Sequence, residues 1–173
     1  MRKGKDLIGM SVVGQSDGAK LGRVRDLIFD SDANELLALV LSEKDLFGLI
    51  DAQIVPWHEV RSLGGDVILA TDAASVRKLR DDDKARELAT RENVLSGTQI
   101  LTSEGKELGT LADMVIDEQT GSVLGYEVSG GLVADTLKGK QFLPQTAGLT
   151  IGDNVAIVPP VSVEELRPLP RVE

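Results

Sequence analysis

The second half of this chain restates the first. Asp17-Gly18-Ala19-Lys20-Leu21-Gly22 is echoed by Glu104-Gly105-Lys106-Glu107-Leu108-Gly109, an offset of 87 in a chain of 173 residues. The same offset carries Asp26 to Asp113, Asp30 to Asp117 and Leu37-Ala38-Leu39 to Leu124-Gly125-Tyr126. After one inserted residue the match continues at 88, from Val55-Pro56 to Leu143-Pro144 and from Gly64-Gly65-Asp66-Val67 to Gly152-Asp153-Asn154-Val155. The endings align too, Ser75-Val76-Arg77-Lys78-Leu79 against Ser162-Val163-Glu164-Glu165-Leu166. Similarity held over about 70 residues with only single-residue slips marks a tandem duplication, so the pattern must specify one small fold twice.

Within each copy the signals are those of short strands. Ser11-Val12-Val13 and Gly22-Arg23-Val24 flank Ser16-Asp17-Gly18, where Asp-Gly supplies the positive φ of a hairpin turn. Residues 23–29 continue as a strand that ends in the turn chemistry of Ser31-Asp32-Ala33-Asn34, with Glu118-Gln119-Thr120-Gly121 as its counterpart. Residues 36–41, Gln53-Ile54-Val55 and Val67-Ile68-Leu69 supply three further strands. Short strands separated by glycine-bearing turns predict an all-β protein with a small barrel or sandwich in each copy. The join differs in character. Val76 and Leu79 share a face, and Asp81-Asp82-Asp83 offers a helix N-cap to Lys84-Ala85-Arg86-Glu87-Leu88. The expected organisation is a first barrel at 1–72, a partly helical linker at 73–92, a second barrel at 93–160, and a short helical turn with a proline-rich tail at 161–173.

Composition narrows the function. Lysine plus arginine total 19 and aspartate plus glutamate 28, a net charge of −9. That balance speaks against wrapping nucleic-acid phosphates. The first 90 residues hold 13 of the basic side chains, but 16 acids accompany them. Five aromatics, Phe29, Phe47, Trp57, Tyr126 and Phe142, supply no stacking platform for single strands. With no cysteine and one histidine, disulfides, thiolate metal sites, thiol catalysis and multi-histidine metal centres are excluded. The basic start reaches only Leu7-Ile8 before Gly9, which is no signal-peptide core, and the longest apolar run, 36–41, falls far short of the roughly 20 residues of a membrane span. The expectation is a cytoplasmic chain, with peripheral contact at the inner membrane face left open.

The ordered set of Leu21-Gly22-Arg23-Val24 running to Asp26-Leu27-Ile28-Phe29-Asp30, the apolar strand at 36–41, Ile54-Val55-Pro56-Trp57 and Leu63-Gly64-Gly65-Asp66-Val67-Ile68 resembles the PRC-barrel family. That family includes the cytoplasmic domain of the photosynthetic reaction-centre H subunit and the C-terminal domain of a ribosome-maturation factor. The resemblance covers both copies. The second copy departs at Trp57, where it has Gln145, and at Ala38, where it has Gly125. The resemblance implies two tandem PRC-like barrels acting as a non-catalytic adaptor that docks on a larger assembly.

Candidate chemistry is sparse. His58 beside Glu59 invites an acid–base reading, but copy two has Thr146 there and no partner nucleophile is identifiable. Asp26, Asp30 and Asp32, with Asp113 and Asp117, suggest a cation site, yet the stretch lacks a calcium loop's central glycine and terminal glutamate. Aspartates bonding their own turn are the favoured reading. No glycine-rich turn leads from a strand into a helix with a following lysine, so no phosphate loop is expected. No catalytic residue, metal or cofactor is assigned.

The copies differ most on one strand face. Val123, Gly125 and Glu127 share a side that Glu127 marks as solvent-facing, and the same positions in copy one are Leu36, Ala38 and Val40. Phe47 and Ile50 likewise stand where copy two has Asp135 and Lys138. This predicts an extra apolar outer face, Leu36, Ala38, Val40, Phe47 and Ile50, with Trp57 beside it, as an interface. Its cover is the other copy, a second subunit of a homodimer or a foreign protein, with the linker helix contributing through Val76, Leu79 and Leu88. The reading is a non-enzymatic scaffold working through protein contacts at a cytoplasmic or membrane-peripheral complex. Ribosome-assembly or cell-division assistance is one alternative. A proton-handling or enzymatic subunit using His58 and nearby carboxylates is the other.

Overall fold

The computed structural model describes residues 1–42, 52–90, 97–130, 140–152, 154–160 and 166–168. Its elements run β1 (Arg2–Lys3), α1 (Gly4–Leu7), β2 (Ser11–Gly14), β3 (Lys20–Asp30), β4 (Glu35–Ser42), β5 (Gln53–Pro56), β6 (Val60–Leu63), β7 (Val67–Ala70), β8 (Arg77–Lys78), α2 (Asp83–Thr90), β9 (Gln99–Thr102), β10 (Glu107–Ile116), β11 (Val123–Ser129), β12 (Gln141–Pro144), β13 (Thr150–Ile151), β14 (Val155–Val158) and β15 (Arg167–Pro168). The fold is all-β, in two tandem small β domains. The first unit holds Gly4–Asn93 with Glu118–Ser122, and the second holds Met1–Lys3, Val94–Asp117 and Val123–Glu173. Each unit thus takes in a short piece of chain from beyond its own repeat.

The duplication is visible strand by strand. The first unit orders its sheet β6-β7-β2-β3-β4-β5-β8, and the second follows β13-β14-β9-β10-β11-β12-β15, with β1 added along β10. In both, one pair is parallel, β2 with β7 and β9 with β14. Bulges fall at the same repeat positions, between Val24 and Asp26 and between Ile28 and Phe29 on β3, and between Leu111 and Asp113 and between Val115 and Ile116 on β10. Asp26 Oδ1 accepts the Leu27 N–H and Asp113 Oδ1 the Met114 N–H, each at 2.8 Å. The recurring aspartates therefore satisfy backbone groups at the first bulge, where ladder pairing is disrupted.

The turns repeat as well. Asp30 Oδ1 accepts the N–H groups of Asp32 and Ala33, both at 3.0 Å, an aspartate bonding its own turn as expected. Asn34 then adopts φ +52° and its repeat partner Gly121 φ +75°, the left-handed conformation that asparagine and glycine tolerate best. The last strands pair as follows. Lys78 pairs with Gln53, while Gln141, the repeat partner of Gln53, pairs with Pro168. The strand that pairs with β12 is therefore 167–168.

Inside the linker, Asp82 Oδ1 accepts the Ala85 N–H at 2.9 Å and caps α2 as its carboxylate predicts. The preceding stretch is not continuous helix. It makes 3-10 turns at Ala73–Ser75 and Leu79–Asp81 around β8, which must run extended to pair with β5. Strand β6 and the two-residue strands were not anticipated, being too short to show an alternation. Most of the proline-rich tail lies outside the described residues.

Candidate functional site

Residues Leu36, Ala38 and Val40 lie on β4 and are buried, at 2%, 1% and 3% exposure. Ala38 and Val40 pack in one cluster with Ile28, Ala52, Ile54, Leu79, Ala85 and Leu88. The cover for this part of the face is thus Leu79 and α2, within the same unit. A polar helix of eight residues is marginal alone, and burying Ala85 and Leu88 on the sheet is what stabilises α2. Lys84 Nζ, 2.7 Å from Asp30 Oδ2, ties the helix start to the end of β3. That hydrogen bond holds the Asp30 carboxyl below, and the Lys84 ammonium above, their ordinary values. Phe47 and Ile50 lie outside the described residues.

On the second unit the equivalent face is also buried, which corrects the reading of Glu127 as a solvent marker. Glu127 is 1% exposed. Its Oε2 takes a hydrogen bond from Lys3 of β1 at 2.5 Å and its Oε1 lies 2.6 Å from Lys140 Nζ. A carboxylate alone would not tolerate this burial; with two ammonium partners and their stems over it, it does. Burial pushes the Glu127 carboxyl up, but the hydrogen bonds from Lys140 and Lys3 outweigh it and hold the group below its ordinary value. Phe142 fills the neighbouring space, its ring so close to Gly125 that a Cβ there would collide with it. Sequence reasoning missed this cluster, although the signal was present. Val40 and Ala52 in copy one correspond to Glu127 and Lys140 in copy two, an apolar pair exchanged for an ion pair.

The Glu127 cluster makes a pH prediction. A carboxyl held low in the folded state binds fewer protons there than when unfolded, so its stabilisation is full above the ordinary 4.5 and fades as pH falls through the folded value. Thermal unfolding followed from pH 7 to pH 3 should show a falling midpoint below about pH 4.5, with a shallower fall in Glu127→Gln.

Trp57, buried, lies over Gly121 in the first unit. A Cβ on Gly121 would come 2.5 Å from Trp57 Cδ1 and 2.7 Å from Cε2. Residues 118–122 are held there also by the Leu36 N–H, which donates to Gly121 O at 2.9 Å, and by pairing of Glu35 with Ser122.

His58 is the most open of these positions, 67% exposed, with Nε2 3.8 Å from Glu59 Oε1. Glu59 is engaged elsewhere. Thr71 Oγ1 donates to its Oε2 at 2.7 Å, and Arg77 Nη2 stands 3.5 Å from its Oε1. The Thr71 hydrogen bond outweighs the cost of burial and, with Arg77 and Arg61 nearby, holds this carboxyl below its ordinary value. Arg61 Nε donates to Thr71 Oγ1 at 2.9 Å. Arg61 is on β6 and Arg77 on β8, so this clasp draws together the two edge strands of the seven-stranded sheet.

Repeated strand order, shared bulges and turn aspartates define a duplicated small β domain, and a model of the PRC-barrel domain matches residues 1–77 and again 93–164. The chain belongs to the PRC-barrel family. No curated protein matches it. The two PRC barrels dispose differently of the same sheet face, one under α2 and the other under Lys3, Lys140 and Phe142. Among the described residues no helix is long and apolar enough to cross a membrane.

Proposed function

We propose that this PRC-barrel chain is a non-enzymatic scaffold that joins protein partners, at the cytoplasmic face of a larger complex. The observation that carries the reading is how its charges are spent. Glu127 is closed by two lysines, Asp30 by its own turn and Lys84, Glu59 by Thr71 and Arg77, and Asp26 and Asp113 by strand backbone. Each holds strands in place, whereas a catalytic group keeps its proton or lone pair available to a substrate. Ala38 and Val40 of the first barrel, being covered by α2, serve the fold, so the reading places partner contacts on the polar exterior.

The test is capture of stoichiometric partners by tagged, full-length protein from gently solubilised native cells, beside a His58→Ala form. A defined complex, with no turnover in either form, supports the scaffold. Absence of any complex, together with a turnover that His58→Ala abolishes, would replace it with the enzymatic reading.

A further inference from the structure

The clasp at Glu59 has more cation than it needs. One carboxylate faces two guanidinium groups and an imidazole, and His58 Nε2 and Arg77 Nη2 lie only 3.5 Å apart. His58, Arg61 and Arg77 are all exposed, and Lys78 follows on the same edge strand, also exposed. The fold does not demand this arrangement. The second unit builds the same strand order with Thr146, Ala147 and Leu149 at the repeat positions of His58, Glu59 and Arg61. A positive site on a chain of net −9 runs against the overall field, which repels anions elsewhere.

We propose that the edge formed by His58, Arg61 and Arg77 docks an acidic segment of a partner protein, whose carboxylates face these side chains beside Glu59. Arginine suits the task, because its planar fork matches a carboxylate with two parallel hydrogen bonds. Glu59 holds Arg77 in position, and Thr71 does the same for Arg61 through Nε. This surface rests on the scaffold reading and gives it an address.

The probe is a fluorescein-labelled poly-glutamate peptide, followed by anisotropy at low ionic strength with the full-length chain. The proposal expects saturable binding that weakens with salt and falls about tenfold or more in Arg61→Glu/Arg77→Glu. Lys20→Glu/Arg25→Glu, with the same change of net charge on exposed residues of β3, should bind like wild type. Should the first double variant lose its fold by circular dichroism, Arg61→Glu alone decides, since the hydrogen bond from Arg61 goes to Thr71 and not to the Glu59 carboxylate. No binding by wild type, equal loss in both double variants, or a stronger preference for an oligonucleotide overturns the proposal. A stoichiometric complex captured from cells and retained by Arg61→Glu/Arg77→Glu overturns this surface while leaving the scaffold intact.

Discussion

Trp57→Ala should lower stability by about 3–5 kcal/mol, the ordinary cost of emptying a buried aromatic site. Part of that loss is the seat of residues 118–122, because the indole lies directly over Gly121. The complementary change separates packing from backbone strain. Asn34 occupies the repeat position of Gly121 at φ +52°, so an asparagine is compatible with this turn. Gly121→Asn should nevertheless cost about 1–3 kcal/mol, because its Cβ has no room beneath the indole. In a Trp57→Ala background the same change should cost much less, a coupling that a double-mutant cycle reads directly. Trp57 is the chain's single tryptophan, so its emission reports on the Gly121 variant without a label, and a red shift is expected. Equal costs in both backgrounds would show that the indole does not hold this turn.

The second large effect concerns the face under α2. Val40→Glu places a carboxylate among Ile28, Ala38, Ile54, Ala85 and Leu88, and should cost about 4 kcal/mol or unfold the first unit. The second unit carries that glutamate at its repeat position, Glu127, with Lys140 beside it. Ala52 is the repeat position of Lys140, so Val40→Glu/Ala52→Lys should recover about 1–3 kcal/mol relative to the sum of the two single changes. Full rescue is not expected, because Glu127 is also held by Lys3, which the double change does not supply. Chemical denaturation of the four species measures the coupling, and strict additivity would refute the equivalence of the two pairs.

Much of this fold was legible from residues. The offset of 87 located the duplication, and Asp17-Gly18, Asp30 and Asp82 announced a hairpin, a turn and a helix cap that the structure contains. The alternation along 36–41 assigned Ala38 and Val40 to one face correctly, and their helical cover was among the readings open to it. What escaped was long-range. A glutamate in an alternating strand reads as solvent-facing because burial of a lone charge is so costly, and that cost is offset by Lys140, just before β12, and by Lys3, distant by 124 positions. The clasp escaped for the same reason. Arg61, Thr71 and Arg77 form no motif in sequence and meet only because two sheet edges converge on Glu59.

The membership of Glu118–Ser122 in the first unit bears on the order of synthesis. A chain made from its N-terminus would ordinarily finish its first domain while the second is still being translated, at about 5–20 residues per second. Here the first unit lacks its last piece until residue 122 has emerged, well past Asn93, so Trp57 waits for its neighbour. Nascent chains arrested before Gly121 has cleared the exit tunnel should therefore show a solvated tryptophan, and those arrested beyond it a buried one. The first unit thus becomes native only when synthesis is already well into the second repeat.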